Sequence, residues 1–355
     1  MIKSCSSEAK LFFHSGFDDG ITISNTGITG RDTSLPAPNS WDGKDGLQDG
    51  KYFSDVCNIV GNGDGETITD YDTINPKAFY GIDKAKDPAN LDNNVLRFSI
   101  NAMPTGDTSD NARLEHVVWG KREKTQEVYY KFDMYLSPDF KQFDNYPDEI
   151  TWMMILEFWN ETNWLTSPYP YRVSVDLYKP SGLNQPFRIR TRASISGGWF
   201  TEGGDWWYKP NCQPPEEYTI FWEFAIGNEW ETVSADHIPL GQWISCEVYY
   251  KAGGRGEGEF YFAGTTQDGK KLVFCDKTGP DKGETCEDNR VATRHPQSPY
   301  TLGVEQFNPF KLYVHETLVR YIDGLNVRNI EAGKPTNYAI EVLWDNLEYW
   351  NTGVT

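Results

Sequence analysis

Apolar and polar residues alternate with period two in most of the regularly patterned segments of this chain. Side chains of a β-strand point alternately to its two faces, so this alternation is typical of strands that bury one face. Helical spacing of apolar residues is scarce, and clusters of Gly, Pro, Asn and Asp separate the segments, as in turns and loops. The sequence therefore predicts an all-β protein. The clearest strand segments are 94–100, 128–136, 171–177, 187–192, 243–250 and 340–350.

At 355 residues the chain is long enough for one large β domain. No linker of low complexity divides it, and no internal repeat is visible. We interpret residues 1–10 as an N-terminal tail or processing remnant and residues 11–355 as a single domain, with a first strand near Phe12 to Phe17. The antiparallel architecture that joins so many strands is the jelly-roll β-sandwich, which has one convex and one concave face. We therefore expect a jelly roll with long loops and a concave groove.

The composition limits the partners of such a domain. The 52 Asp and Glu against 33 Lys and Arg give a formal net charge of −19, which argues against nucleic acid or an anionic membrane as a partner. Aromatic residues make up 15% of the chain, including 13 Trp and 20 Tyr. Such rings stack on sugar rings, although large sandwiches also bury many Trp. We expect a monomer that binds a polysaccharide or an oligosaccharide and requires no cofactor.

The cysteines bear on the compartment. Cys5, followed by small polar residues, resembles the lipidated position at the trimmed start of a bacterial lipoprotein, although it could equally be a leftover thiol near a processing site. Cys275 and Cys286 bracket a polar loop whose ends a disulfide could close. Cys246 falls in a probable strand, where a buried free thiol is the default. We expect an extracytoplasmic protein, either secreted or anchored at the surface through Cys5.

Two carboxylates stand in apolar strand segments, where a solvated charge is not expected. Glu115 ends the run Asn-Ala-Arg-Leu-Glu, and Glu157 lies in Met-Ile-Leu-Glu-Phe-Trp. A charge in such a place needs a partner or a function. Two acids on neighbouring strands of a concave sheet, with Arg113 beside them, are the arrangement that cleavage of a glycosidic bond requires. The alternative for Arg113 and Glu115 is a structural salt bridge on a sheet face.

Alternation also predicts which side chains share a face. The predicted sets are Arg113 with Glu115, Glu157 with Met153 and Ile155, Arg172 with Ser174 and Asp176, and Arg188 with Arg190 and Arg192. If these strands are neighbours, their polar sets form the floor of a groove in which Arg172, Asp176, Arg188 and Arg190 contact substrate. The alternative is that the arginines are only counter-ions for surplus carboxylates.

Aromatic side chains supply further candidates for substrate binding. Trp159 lies beside Glu157, and Trp206 and Trp207 lie in a loop with glycines at both ends, which lets an aromatic tip move over a ligand. The alternative for this loop is that its Trp side chains pack back onto the sandwich. Tyr250 is a weaker candidate, since it is one of twenty Tyr. His116 points away from Glu115 by alternation, which favours a place in the core.

Several of these motifs together resemble a known group of enzymes. The run Arg-Leu-Glu at 113–115, the segment 129–140 and the Gly-Gln-Trp at 241–243 resemble the concanavalin A-like jelly-roll enzymes of polysaccharide breakdown. This group includes glycoside hydrolase family 131, which acts on β-glucans, and polysaccharide lyases of the heparin lyase I, glucuronan lyase and alginate lyase types. The hydrolase family is similar in using an Arg-x-Glu, a second Glu and a downstream His. The resemblance implies catalytic roles for Arg113, Glu115, Glu157 and His237, although a lone loop histidine is more often solvated.

Three functions therefore stay open. The leading hypothesis is a glycoside hydrolase of β-glucan type, in which Glu115 and Glu157 are the acid and base pair and the pKa of one is raised by the other. The second is a lyase acting on a uronate-containing polymer, with arginines neutralising the carboxylate and with His237 and Tyr250 moving protons. Lyases of this type commonly place Gln where this chain has Glu157, and an anion there repels the substrate. The third is a non-catalytic glycan-binding protein.

A metal has only weak support. The loops 42–46 and 62–66, rich in Asp and Gly, could hold a structural Ca²⁺, but their spacing fits no complete calcium loop and such turns need no metal. No Cys or His spacing suggests zinc. We therefore expect no catalytic metal.

Overall fold

A computed structural model describes residues 10–24, 27–41, 58–61, 80–102, 111–119, 125–160, 171–196, 226–254, 256–278, 292–294, 303–334 and 337–351. Strands dominate these ranges, as the alternation predicts. In chain order the elements are β1 (Lys10–Ser15), β2 (Ile21–Ser24), β3 (Gly27–Gly30), β4 (Asn58–Gly61), β5 (Tyr80–Lys86), β6 (Asn94–Ile100), β7 (Asn111–Trp119), β8 (Glu127–Leu136), a 3₁₀ helix (Pro138–Asn145), β9 (Met153–Trp159), β10 (Tyr171–Tyr178), β11 (Arg188–Ser196), β12 (Ile226–His237), β13 (Trp243–Lys251), β14 (Glu259–Thr266), β15 (Lys271–Lys277), β16 (Gln306–His315), α1 (Glu316–Glu331) and β17 (Ile340–Asn351).

Two large antiparallel sheets form the sandwich. The front sheet has the order β12-β11-β10-β9-β16-β7-β4. The back sheet has the order β15-β14-β13-β8-β17-β6-β5, with β1 also paired to β17. The chain crosses repeatedly between the sheets, for example from β6 through β7 to β8 and from β15 through β16 to β17. The predicted all-β jelly roll is confirmed.

The core lies between the two sheets and is strongly aromatic. The rings of Phe158 and Tyr250 stack across the interface with centroids 4.7 Å apart. Phe158 also stacks on Phe307, at 5.6 Å. Phe310 of the front sheet packs on Trp344 of the back sheet, at 4.8 Å. Burying rings of this size contributes the main driving force for folding, and their stacking adds roughly 0.5–1.5 kcal/mol per pair.

Part of the front sheet departs from simple alternation. Val175 pairs with Leu156, but the next residue, Asp176, pairs with Met154, so Ile155 is an extra residue in β9. Such a β-bulge places two consecutive residues on one face. The prediction that Glu157 shares a face with Met153 and Ile155 is therefore wrong, because both lie in the inter-sheet core.

A second irregularity bears on the predicted disulfide. The register between β14 and β15 shifts after Phe262, which pairs with Cys275. Cys275 is consequently buried in the core beside Phe274 and is a free cysteine among the described residues; its predicted partner Cys286 lies outside them, so the pairing stays a prediction. Burial raises the pKa of the Cys275 thiol to about 12, which makes it unreactive. Cys246 is a buried free thiol, as predicted.

Helical structure in the described ranges is limited to the 3₁₀ helix and α1. His315 caps α1, since its side chain accepts a hydrogen bond from the Thr317 amide. Leu318, Val319 and Ile322 form the buried side of this helix. None of the helices described here is long and apolar enough to cross a membrane.

Aspartates crowd together where the β1–β2 connection meets β8 and β17. Ser34 donates to carboxylates of both Asp18 and Asp32, at 3.1 and 2.6 Å. Asp345 is nearly buried in β17, where it accepts a hydrogen bond from the Asn93 amide at 2.8 Å. Burial, reinforced by the negative charges of Asp133 and Asp18, raises the pKa of Asp345 to about 7. The folded protein therefore holds a proton here that a solvated aspartate loses.

We predict that Asp345→Asn stabilises the protein at alkaline pH. In the unfolded chain the pKa of an aspartate is about 3.9, so the contribution of Asp345 to stability is complete below that value and is lost as the pH rises through about 7. An asparagine does not ionise and avoids this loss. We expect the melting temperature of the variant to exceed that of the wild type by roughly 2–5 °C at pH 8, and the gain to disappear near pH 4.5. A difference in melting temperature between variant and wild type that stays constant from pH 4.5 to 8.5, measured by calorimetry, would contradict this.

Candidate active site on the front sheet

The outer face of the front sheet carries the polar sets that alternation predicts. In this sheet β7, β16, β9, β10 and β11 are consecutive neighbours. Ser174 pairs with Glu157 on one side and with Arg192 on the other, so these three side chains form one row across the sheet. Arg113 pairs with Tyr313 of β16, and Asp176 pairs with Arg190. The structure thus brings together most of the residues that the sequence selects.

One lysine joins the two candidate carboxylates. β16 lies between β7 and β9, and its Lys311 ammonium contacts Glu115 at 3.0 Å and also bonds to Glu157. Lys311 is 2% exposed, Glu115 5% and Glu157 0%. Water therefore does little to offset the cost of burying these charges, and each depends on the others. This lysine is absent from the sequence-based site.

Glu157 is held as an anion by several donors. Besides Lys311, it accepts hydrogen bonds from the Arg172 guanidinium at 3.1 Å and from the side chain of Trp159. Burial alone would raise the pKa of Glu157, but the charges of Lys311 and Arg172 together with these hydrogen bonds lower it below the ordinary value. Glu157 is therefore a poor proton donor at neutral pH.

Glu115 has a more open surrounding. The Arg113 guanidinium lies 3.7 Å from it, and the Asn308 amide donates to it at 3.3 Å. Arg113 has a side chain that is 36% exposed, so this part of the face is accessible from solvent. The predicted pairing of Arg113 with Glu115 is thus observed, as one contact of a larger network rather than an isolated salt bridge.

Asp176 forms a second charged group beside the first. Its carboxylate lies 3.0 Å from Arg192 and 3.6 Å from Arg190, and it is completely buried. Burial raises the pKa of Asp176, although the charges of Arg192 and Arg190 oppose this. Arg190 and Arg192 therefore act as counter-ions, which is the alternative that the sequence left open. Because two cations share one carboxylate, one positive charge is not balanced by Asp176.

Positive charge exceeds negative charge on five neighbouring strands of this face, although Glu231 of the edge strand β12 lies opposite Arg192. The described outward side chains of β7, β16, β9, β10 and β11 include six cationic residues and three carboxylates. The cations are Arg113, Arg172, Arg188, Arg190, Arg192 and Lys311, and the carboxylates are Glu115, Glu157 and Asp176. In a chain of net charge −19, such a patch favours an anionic ligand.

Tyr313 and Trp159 supply half-buried aromatic groups at the same face. The Tyr313 ring lies between two cations, with the Arg113 guanidinium 5.5 Å and the Lys311 ammonium 5.4 Å from its centroid. The Trp159 ring lies 5.4 Å from the Arg172 guanidinium. Sequence reasoning selected Trp159 but missed Tyr313 and Lys311. The available signal was the alternation of Phe-Lys-Leu-Tyr-Val at 310–314, which places Lys311 and Tyr313 on one face.

His237 does not lie beside Glu115 and Glu157, so the structure does not bring it into the catalytic group predicted from the sequence. It ends the edge strand β12, where it pairs with Arg188 and is exposed. Three strand spacings separate β12 from β9, or about 14 Å across the sheet. His237 is therefore too far from Glu157 to exchange a proton with a group bound there.

Tyr250, a predicted substrate-binding residue, lies in the core instead of on the front face. Residues of β13 alternate between core and surface, and Tyr250 falls on the core side with no exposed area. Its hydroxyl donates to the Asn160 side chain at 2.9 Å and bonds to the Thr293 carbonyl, and burial raises its pKa. Tyr250 cannot contact substrate in the groove.

His116 is in the core, as predicted. Its ring packs edge-on against Trp41 at 5.3 Å and is completely buried, and burial lowers its pKa to about 3. His116 is therefore neutral.

Some predicted features lie outside the described residues. These are Cys5, Trp206, Trp207, Cys286 and the two acidic loops 42–46 and 62–66. The possible lipid anchor, the aromatic loop and the calcium hypothesis stay predictions.

Comparison with known proteins gives only distant structural neighbours. No protein-family model matches this chain, and no curated protein matches it. The endo-β-1,4-glucuronan lyase from the fungus Trichoderma reesei is 16% identical, with a TM-score of 0.38 over 76% of this chain and 86% of the lyase. The marine PL-14 alginate lyase from Aplysia kurodai is 8% identical, with a TM-score of 0.39 over the same shares. A GH131 β-glucanase catalytic domain from Podospora anserina is 13% identical, with a TM-score of 0.32 over 78% of this chain and 80% of that domain.

These neighbours come from the groups that the sequence motifs resemble. Identities and scores this low do not place the chain in any one of them. The function has to be inferred from the site itself.

We predict that Lys311→Met strongly destabilises the protein, because it leaves Glu115 and Glu157 buried without their shared cation. The expected loss is roughly 3 kcal/mol or more in the free energy of unfolding. Adding Glu157→Gln to this variant should restore part of that loss, since one uncompensated charge disappears. Urea unfolding of both single variants and the double variant gives the coupling energy.

Lys251→Met is the matched control. Lys251 forms a 2.9 Å ion pair with Glu259 on the back sheet, but its side chain is 37% exposed. Its loss should cost less than about 1 kcal/mol. Equal losses in the free energy of unfolding for the two lysine variants would mean that the buried ion pairs of Lys311 stabilise the protein no more than an exposed ion pair does.

Proposed function

We propose that this protein is a polysaccharide-degrading enzyme that cleaves an acidic, uronate-containing polysaccharide by β-elimination. The observation that carries this proposal is the excess of cations on the outer face of β7, β16, β9, β10 and β11, six against three carboxylates, in a protein of net charge −19. A neutral glucan can hydrogen-bond to such a floor through its hydroxyls but gains no attraction between opposite charges. A polymer of uronates places a carboxylate on every acidic sugar and meets the floor with opposite charge.

Elimination needs the substrate carboxylate to be neutralised. The proton at C5 becomes acidic when cations stabilise the charge that develops on the adjacent carboxylate. Arg113 suits this role best, because its side chain is 36% exposed at the face and its guanidinium lies 3.7 Å from Glu115. Arg192 is 15% exposed but pairs with Asp176 at 3.0 Å, and the side chain of Arg172 is 9% exposed and bound to Glu157. The electron pair of the C5–H bond then forms a C4–C5 double bond as the C4–O bond breaks.

Tyr313 is the candidate for proton transfer. Its side chain stands on the same face beside Arg113 and Lys311. As a phenolate its oxygen would accept the C5 proton, and the phenol formed in that step would donate this proton to the leaving oxygen. Trp159, half-buried beside Arg172, offers a ring on which a sugar can stack. His237 and Tyr250, the proton carriers expected from sequence, are replaced in this proposal by Tyr313.

The charge of Glu157 does not count against a lyase. An anion at this position was expected to repel a substrate carboxylate. Here Lys311 and Arg172 both contact Glu157, and because Glu115 shares Lys311, two cations balance two carboxylates. The group presented to substrate is therefore a compensated cluster, in which Glu157 fixes the positions of the two cations.

A glycoside hydrolase is the second candidate, because one observation favours it. Two carboxylates that contact the same ammonium have oxygens no more than about 6 Å apart, which is compatible with the spacing of retaining enzymes. The lowered pKa of Glu157 restricts its role to nucleophile, so Glu115 would have to be the proton donor. The third candidate, a glycan-binding protein without activity, depends on Trp206 and Trp207. Secretion or surface anchoring, expected for an enzyme that meets such polymers, stays a prediction.

The two enzymatic candidates predict different products. We expect an unsaturated product, seen as rising near-ultraviolet absorbance, on incubation with alginate, glucuronan, ulvan or a glycosaminoglycan. New reducing ends from a neutral β-glucan, with a flat absorbance trace across the acidic panel, would overturn the proposed lyase in favour of the hydrolase. In that case Glu115→Gln and Glu157→Gln should each abolish activity.

Tyr313→Phe tests the proposed proton transfer. We expect kcat on the cleaved acidic polymer to fall by about 10² to 10⁴, the usual contribution of a positioned acid or base. Tyr261→Phe is the matched control, since Tyr261 lies on the back sheet with its hydroxyl 3.3 Å from Glu247. Near wild-type kcat for Tyr313→Phe would remove Tyr313 from the mechanism.

A further inference from the structure

The three arginines of β11 differ in their partners. Arg190 and Arg192 both face Asp176, at 3.6 and 3.0 Å. Arg188 forms no ion pair with any carboxylate in the part of the chain that the structure describes. Asp236, the residue before its strand partner His237, pairs instead with Lys270 at 3.2 Å. A protein of net charge −19 thus leaves one groove arginine without a described counter-ion.

This guanidinium is nevertheless held in place. One terminal nitrogen of Arg188 donates to the carbonyls of Ser234 and Ala235, at 3.0 and 3.3 Å. The other lies 3.2 Å from Nε2 of His237. Because the guanidinium can only donate, this histidine nitrogen accepts. A half-buried arginine with a fixed orientation and N–H groups to spare has already lost the rotational freedom that binding an anion would cost.

Arg188 lies well away from the charged network. It is four residues from Arg192 along β11, which corresponds to about 13 Å, and Arg192 is in the row of Glu157. A single sugar bound over Glu157 does not reach this far, whereas an oligosaccharide lying along the groove does. Arg188 therefore stands at the distance of an outlying subsite.

We propose that Arg188, positioned by His237 and by the carbonyls of Ser234 and Ala235, binds a uronate carboxylate of a sugar several units from the cleavage site. The planar guanidinium matches a planar carboxylate, and the opposite charges strengthen the hydrogen bonds. This inference rests on the proposed action on acidic polysaccharides and extends it, because it makes recognition depend on chain length.

The test is Arg188→Gln, measured with alginate disaccharide and with long alginate oligosaccharides. We expect the variant to lose roughly ten-fold in affinity and in 1/KM for the long oligosaccharides, with kcat and disaccharide binding unchanged. Arg188→Lys keeps the positive charge but not the planar guanidinium. Its affinity for the long oligosaccharides should lie between those of the wild type and Arg188→Gln. Lys86→Gln is the control, since it removes one exposed positive charge at the edge of the back sheet.

The outcomes separate this subsite from the proposed reaction. Suppose that alginate is cleaved. If Arg188→Gln then loses the same affinity for short and long oligosaccharides, or no more affinity than Lys86→Gln loses, Arg188 does not form the proposed subsite, while the proposed reaction is unaffected. If no acidic polymer is cleaved, calorimetric binding of the long oligosaccharides still decides the subsite: length-dependent loss in Arg188→Gln supports it. Unchanged binding overturns it. Melting temperatures of the variants identify any loss that comes from unfolding instead.

Discussion

The contact on which the front face depends is the one between the Lys311 ammonium and the carboxylates of Glu115 and Glu157. None of these three groups is more than 5% exposed, so none can be buried alone without a large cost. Arg172 and Trp159 complete the set on one side, and Arg113 and Asn308 on the other. The strand order is what makes this set work, because β16 inserts its lysine between the two acid-bearing strands. The buried carboxylates of Glu115 and Glu157 thus hold Lys311, Arg172 and Arg113 in fixed positions on this face.

The fold was largely predictable because one rule, alternation, governs most of the chain. It indicated the strand segments, the sandwich and the core position of His116. It failed where the chain adds a residue. The bulge at Ile155 moves Met153 and Ile155 into the core, and the shifted register of β15 buries Cys275. A bulge leaves no local trace in an apolar run such as Met-Met-Ile-Leu, since every residue there is acceptable on a buried face.

Several residues of the site could be predicted from the sequence, but the contacts between them could not. Glu115 and Glu157 were found because charges are conspicuous among apolar neighbours, whereas Lys311 is bonded to Glu157 across 154 residues of sequence, a pairing that only strand order reveals. His237 shows the opposite error. Its place in the chain order matched that of an enzyme family, yet strand pairing sets it at the edge of the sheet beside Arg188. Order along the chain does not fix distance across a sheet.

The contrast between the whole molecule and its groove bears on how an acidic polymer could be chosen. A net charge of −19 repels any polyanion at long range, but at physiological ionic strength this repulsion is screened beyond about 8 Å. Buried and half-buried cations act at contact distance, where screening is weak. Selection by such a protein would therefore depend on close fit to the fixed arginines and Lys311 rather than on steering from solution. If the proposed function holds, discrimination among acidic polymers would depend on the spacing of their carboxylates, which a rigid sheet can match, more than on their total charge.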